Sequence, residues 1–185
     1  LASIATVEIN VSLAVGQNMP DEEYEKKWGK GPHLTVDAVI HWRGKYLLIK
    51  RKDNGMWALP GGFVNPGERL LSAAVREATE ETEIQISPEF HIKMLLSYFF
   101  LTTFIQDRPD RDPRSHIVSV VHVFDIAENL EVHIKAGDDA AHAEFVKLDS
   151  FLGFKNSTQS EFKSSLYADH GDTLLRAHRL ILQRT

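Results

Sequence analysis

The hydrophobic period of this chain changes between residues 68 and 82, and that change most narrows what the chain can fold into. Before it, the apolar stretches read as strands. Leu34 to Trp42 and Tyr46 to Lys50 flank an Arg43–Gly44 turn and predict a hairpin. From Glu68 to Thr82 the apolar residues Leu71, Ala74, Val75 and Ala78 recur at helical spacing. Strand-like runs then return at about 92–104, 117–126 and 144–148. Residues 172–183 close the chain as a second helix, with Leu174, Leu175, His178, Ile181 and Leu182 on one face. Strands on both sides of a central helix, with another helix at the end, predict a mixed sheet with helices packed on it. Residues 1–15 alternate like an edge strand and 16–33 read as a connector. Residues 52–67 read as a loop punctuated by Asn54–Gly55, Pro60–Gly61–Gly62 and Pro66–Gly67, and 106–115 as a polar loop.

Composition removes several classes of function. At 185 residues the chain is long enough for one full core. Lys and Arg number 21 against 26 Asp and Glu, a formal charge of −5, which argues against a general nucleic-acid binder. There is no cysteine, so disulfide scaffolds, cysteine–zinc sites and thiol catalysis are excluded. That absence also fits the expectation of a reducing cytoplasm. No apolar run approaches the ~20 residues that cross a bilayer, so no membrane partner is expected.

The acid is concentrated on the central helix. At ~100° per residue, Glu77, Glu80 and Glu81 fall in one arc beside the apolar one. Carboxylates this close on a helix repel one another, and near a helix C-terminus the macrodipole disfavours them further. A divalent cation among them would remove both penalties, and hard cations such as Mg²⁺ take oxygen ligands and share them with phosphates. A solvated, glutamate-rich helix face is the plain alternative. The preceding Pro60–Gly61–Gly62 favours the first reading, because glycine lets backbone approach a ligand closely.

Gly62, Glu68, Arg76, Glu77, Glu80, Glu81 and Ile84 stand at the separations Gly-x5-Glu-x7-Arg-Glu-x2-Glu-Glu-x2-Ile. This pattern resembles the Nudix box, the signature of hydrolases that cut nucleoside diphosphates linked to another moiety. One position departs from it: Glu83 stands where the family places the glycine that ends the helix. The resemblance implies an α+β fold, an α/β/α sandwich. Its mixed sheet would carry a catalytic loop-helix-loop and a C-terminal helix. Residues 34–185 would form the Nudix hydrolase domain and 1–33 an N-terminal strand and connector. It implies Mg²⁺ or Mn²⁺ held by Glu77, Glu80 and Glu81, with the Gly62 carbonyl as a further ligand, and Glu68 and Arg76 bracing loop against helix.

Further segments are similar to the ADP-ribose pyrophosphatase branch of that family. They are Tyr24 to Trp28, Trp57 to Val64, Arg111 to Arg114 with Ser119–Val120, Gly137 to Ala141, and Asp169–His170. The implied reaction is ADP-ribose plus water giving AMP and ribose 5-phosphate. The alternatives are a hydrolase of other nucleotides (NADH, dinucleoside polyphosphates, nucleoside triphosphates) and a non-catalytic ADP-ribose sensor. Arg51, Arg108, Arg111 and Arg114 are candidates for the phosphates and terminal ribose, since guanidinium forks match phosphate oxygens. Pairing with Asp107, Asp110 and Asp112 is the competing account of the loop arginines. Trp57 and Phe63 are candidates to stack on adenine, with core packing the competing reading for Trp57 and for Phe104. Asp139 and Asp138 are the first choices for a general base and substrate contact, Glu144 the second. His170 is read as a substrate contact or, more plainly, as part of a helix cap around Asp169. His178 reads as a satisfied core histidine, and His116 and His122 show no ligand spacing. The resemblance also leaves open a homodimer and a preceding adenylyltransferase domain in a longer protein.

Overall fold

The computed structural model describes residues 31–86, 99–114, 116–137, 140–148 and 166–183. The fold below is that of the unit Pro32–Thr185. In chain order its elements are β1 (His33–Trp42), β2 (Lys45–Arg51), β3 (Trp57–Ala58), β4 (Gly61–Phe63), α1 (Leu70–Thr82) and β5 (Gln85–Ile86). Then follow β6 (Phe100–Gln106), β7 (Ile117–Ile126), β8 (Val132–His133), β9 (Ala140–Lys147) and α2 (His170–Leu182).

The main sheet runs β3-β2-β1-β7-β6, with β4 added on β1 and β9 on β2. β1 and β7 are parallel over their whole length, from His33 opposite Ile117 to Trp42 opposite Ile126. The other pairings in this sheet are antiparallel, so the sheet is mixed. Side chains alternate across a strand, and β1 uses both faces. Val36, Ala38 and Ile40 pack with Leu47, Val120 and Phe124 against Ala73, Ala74, Val75 and Ala78 of α1. Val39 joins Tyr46, Leu48, Val121 and Val123 against Leu174, Ala177 and Ile181 of α2. One helix on each face makes the expected α/β/α sandwich.

The structure differs from the sequence reading at several places. The 52–67 loop contains two short strands, β3 and β4, because Trp57–Ala58 and Gly61–Phe63 pair with β2 and β1. α1 starts at Leu70, since Glu68 and Asn65 close a turn ahead of it. β9 begins four residues earlier than expected, at Ala140. On α2, Leu182 is 57% exposed, and Ala177 takes the buried place expected of it. His178 is satisfied, as read: its Nδ1 lies 2.7 Å from the Tyr46 hydroxyl. The expected strand at 1–15, residues 16–30 of the connector, residues 92–98 and the segment 151–165 lie outside the described residues.

α1 exits where the missing glycine left the outcome open. Glu83 takes the left-handed conformation (φ 40°, ψ 32°), and its N–H donates to the Thr79 carbonyl. The chain of residues 135–137 then docks on the helix end, with Lys135 N–H donating to Thr82 O and Gly137 N–H to Glu81 O. Gly137 leaves no room for a side chain, because a Cβ there would run into the Glu80 carbonyl.

Candidate active site

The turn Leu59–Gly62 lies between the two helices and is pinned on every side. Pro60 O accepts from Ala38 N–H at 2.8 Å. Gly61 N–H donates to Glu81 Oε2 at 2.9 Å, and Leu59 N–H donates to His170 Nδ1 at 2.8 Å. Gly61 and Gly62 are both required by space. A Cβ on Gly61 would meet the Val36 carbonyl and Asp37, and one on Gly62 would stand 2.6 Å from the Glu77 carboxylate.

This turn and α1 form one wall of a cavity of about 480 Å³. Glu77 and Glu81 line it beside Gly61 and Gly62; Arg51, Lys52, Asp53, Phe63 and Arg114 complete much of the rest. Carboxylates and cations thus line the same cavity. Glu81 is 8% exposed, whereas the Glu80 side chain is 51% exposed and does not line the cavity.

Arg76 holds the acidic cluster together. Its Nε donates to Glu68 at 2.8 Å, and its Nη1 lies 2.7 Å from Glu77 and 3.1 Å from Glu80. Its Nη2 reaches Glu68 and the Phe63 carbonyl, which ties loop to helix. The Arg76 hydrogen bonds, with one from the Asn65 backbone, lower the Glu68 pKa to about 2. Glu77 shifts the other way. Burial raises its pKa, and the opposing Arg76 guanidinium does not fully cancel that effect.

A divalent cation suits these donors. They are hard carboxylate oxygens with a glycine backbone pressed against one of them, and a guanidinium nitrogen already stands between Glu77 and Glu80 as a cation does. Among the described residues no three histidines or carboxylates converge into a ready-made ion site. Glu81 is drawn to Gly61, and Arg76 separates the other two.

The remaining candidates divide by position. Arg51 pairs with Asp53 and lies 4.7 Å over the Tyr167 ring. Arg114 pairs with Asp112, is 47% exposed, and its guanidinium lies 6.0 Å from the Phe63 ring centre. Phe63 is 51% exposed on the cavity. Arg111 does not reach the cavity of Glu77 and Glu81. Its side chain is 2% exposed and grips Asp169, 58 residues away, through Nε and Nη2. Burial works against its charge, but Asp169 and Asp37 hold its pKa above the ordinary value. The Asp169 side chain therefore serves Arg111 and does not cap α2. Arg108 pairs with Asp110 at the surface.

Trp57 is half-buried, packs against the α2-side core and lies edge-on to His142, away from the cavity. Phe104 is buried under Arg176. Glu144 is exposed on β9 near His142. Asp138 and Asp139 lie outside the described residues, as does Tyr24 to Trp28.

The sequence reading missed Asp37 and Tyr167, and named Ser119 without a role. Asp37 is buried in β1 and accepts a hydrogen bond from the Ser119 hydroxyl. A lone carboxylate inside the apolar run 36–40 was the available signal, since a buried charge needs partners. Tyr167 follows the segment 151–165 and had no pattern to announce it. Its hydroxyl contacts Asp112, and its ring carries Arg51 and Arg114.

A model of the NUDIX domain matches residues 31–169. The ADP-ribose pyrophosphatase of Methanocaldococcus jannaschii is 43% identical over 122 residues, which cover 64% of each chain. The phosphatase NudJ of Escherichia coli is 42% identical over 65 residues, 34% of this chain and 42% of that one. A bifunctional NMN adenylyltransferase/ADP ribose pyrophosphatase of Francisella tularensis, complexed with AMP and a manganese ion, is similar in structure. Its TM-score is 0.68 at 26% identity, over 85% of this chain and 45% of that one. The chain spans less than two thirds of each of these relatives. No helix among the described residues is long and apolar enough to cross a membrane.

Proposed function

The chain belongs to the NUDIX domain family, and from that premise we propose that it hydrolyses the pyrophosphate bond of ADP-ribose to AMP and ribose 5-phosphate with Mg²⁺ or Mn²⁺. The observation that carries this reading is the cavity with Glu77 and Glu81 on one wall and Arg51, Lys52 and Arg114 around it. A dianionic pyrophosphate suits a cation held by the carboxylates together with the guanidinium groups that line the same cavity. The 43% identity with an ADP-ribose pyrophosphatase supports the choice of substrate.

Glu77, Glu80 and Glu81 would hold the metal, with the Gly62 carbonyl as a further ligand. Bound there, the ion supplies neutralisation of phosphate charge and a more acidic water. The chain's own residues do the rest. Glu68 and Arg76 keep the glycine turn against α1. Arg51 and Arg114 bind the phosphates and terminal ribose, and Phe63 offers the adenine an exposed ring. Water adds to one phosphorus, the bridging P–O bond breaks toward the other phosphate, and the water's proton leaves to a base. We assign that base to Asp139. Gly137 is anchored on the end of α1, two residues earlier in the chain. Residues 34–185 form the catalytic domain in this reading.

Incubation with Mg²⁺ and a panel of ADP-ribose, NADH, diadenosine polyphosphates and nucleoside triphosphates tests it. AMP is expected from ADP-ribose far faster than from the other compounds. Turnover of triphosphates alone overturns the substrate assignment, and tight ADP-ribose binding without turnover makes the protein a sensor.

A further inference from the structure

Pro60 has no N–H, so the turn Leu59–Gly61 has two backbone donors to satisfy. Each goes to a side chain of a different helix. Gly61 N–H meets Glu81 of α1, and Leu59 N–H meets His170 in the first turn of α2. The two helices sit on opposite faces of the sheet, and this turn is where both reach the same short stretch of backbone.

The His170 ring is built into its place. It is 6% exposed and stands edge-on to Tyr167, with ring centres 5.9 Å apart. Its Nε2 lies 3.8 Å from Asp37 Oδ1. Asp37 in turn is held by Ser119 and stands 3.8 Å from Arg111. The ring accepts the Leu59 N–H at Nδ1, as only an imidazole without a proton there can, and burial pushes its pKa below the ordinary value in the same sense. A neutral imidazole that accepts at Nδ1 carries its proton on Nε2, and here Nε2 faces the Asp37 carboxylate. Asp37 also backs Gly61 directly, where a Cβ would stand 2.7 Å from its Oδ1.

We propose that His170 is a positioning residue for the pyrophosphohydrolase site. By accepting the Leu59 N–H, it sets the Pro60–Gly61–Gly62 turn at the height where Gly61 meets Glu81 and Gly62 meets Glu77. The catalytic consequence rests on the function proposed above; the placement of the turn does not. Loss of the acceptor leaves a buried N–H without a partner. The turn then shifts, and the carboxylates it touches shift with it.

The test begins with the metal-free protein. In His170→Leu the acceptor is gone, whereas in His170→Asn the amide oxygen replaces Nδ1. Ala177→Gly weakens the same helix at a buried position seven residues beyond His170 and leaves the acceptor of the Leu59 N–H in place. Amide hydrogen exchange is read at Gly61, with Val121 in the core as the gauge of global opening. Relative to Val121, Gly61 is expected to exchange at least tenfold faster in His170→Leu. Wild-type behaviour is expected in Ala177→Gly, and recovery in His170→Asn. In the kinetic arm His170→Leu lowers kcat with KM little changed, and His170→Asn recovers it. Gly61 exchange no faster in His170→Leu than in Ala177→Gly overturns the proposal. So does a ¹⁵N spectrum of the wild-type ring with the proton on Nδ1, a measurement that needs no variant to fold. A wild-type protein inactive on ADP-ribose defeats the functional reading alone, because the exchange result still decides the placement of the turn.

Discussion

The backbone of Gly62 rests on the carboxylate of Glu77, leaving no space between them for a methyl group: a Cβ on Gly62 would stand 2.6 Å from Glu77 Cδ and Oε1. Glu77 cannot simply swing aside, because its Oε1 is tied to Arg76 at 2.7 Å. Gly62→Ala is therefore expected to displace Glu77 from the cavity wall. Misplacement of a reacting group by about an ångström costs roughly 10²-fold in rate, and a loss of that order is expected in ADP-ribose turnover. Thermal melting in the absence of metal should change little, since the contact lies at the cavity wall and outside the apolar clusters. Normal turnover by a folded Gly62→Ala protein would remove Glu77 from the site.

Glu77 makes the metal-free protein pH-sensitive in a defined direction. Burial raises its folded-state pKa above the ordinary carboxylate value. A raised pKa means that the folded state holds the proton more tightly than the unfolded chain. Its contribution to stability is full below the unfolded pKa and is lost as pH rises through the folded one. At pH 7 the charged Glu77 is thus a net cost without metal, and Glu77→Gln is expected to raise Tm under those conditions. Mg²⁺ should stabilise the wild type by binding the folded state, and it should stabilise Glu77→Gln much less. Melting curves at pH 7 with EDTA or with Mg²⁺ read both effects, and an equal Mg²⁺ shift in the two proteins contradicts the ligand assignment.

Glu81 offers a cleaner separation of fold from chemistry. Its Oε2 accepts the Gly61 N–H, and a glutamine amide oxygen can accept the same bond. Glu81→Gln should therefore keep the turn in place and melt near the wild type. The negative charge needed for a cation is gone, so most of the turnover should vanish and Mn²⁺ affinity should fall. Unimpaired Mn²⁺ binding in this variant would place the ion elsewhere.

How far the sequence could be read depended on the range of each interaction. Both helices and the strands at 34–42, 46–50 and 117–126 were legible because period and turn residues act over a few positions. The short strands β3 and β4 were not, since two or three residues carry no period and pair only because β1 and β2 lie beside them. The acidic half of the site was visible as one box, for Glu68, Arg76, Glu77 and Glu80 meet within one helix and its leading loop. Its other half joins residues far apart in the chain. Arg111 finds Asp169 over 58 positions, and Leu59 finds His170 over 111. Local reasoning offered Arg111 to a phosphate or to its neighbouring aspartates, and His170 to the substrate or to a cap, whereas the partners seen are distant in the chain.

Glu83 turns the one departure from the family pattern into a stability prediction. It ends α1 in the left-handed region at φ 40°, where a side chain on Cβ costs roughly 1–2 kcal/mol and glycine has no such cost. Two effects oppose a change to glycine: the more flexible unfolded chain, and loss of the exposed ion pair with Lys135 at 3.1 Å, worth about 0–1 kcal/mol. Where the strain exceeds these two effects, Glu83→Gly is more stable by up to about 1 kcal/mol, a rise in Tm of up to about 4 °C for a chain of this length. Lys135→Ala isolates the ion pair, because it removes the ammonium and leaves the backbone of residue 83 alone. Its effect should be smaller than that of Glu83→Gly and opposite in sign. A fall in Tm for Glu83→Gly larger than that for Lys135→Ala would mean that the docked segment 135–137 needs the Glu83 side chain, and that backbone strain at the helix exit is negligible.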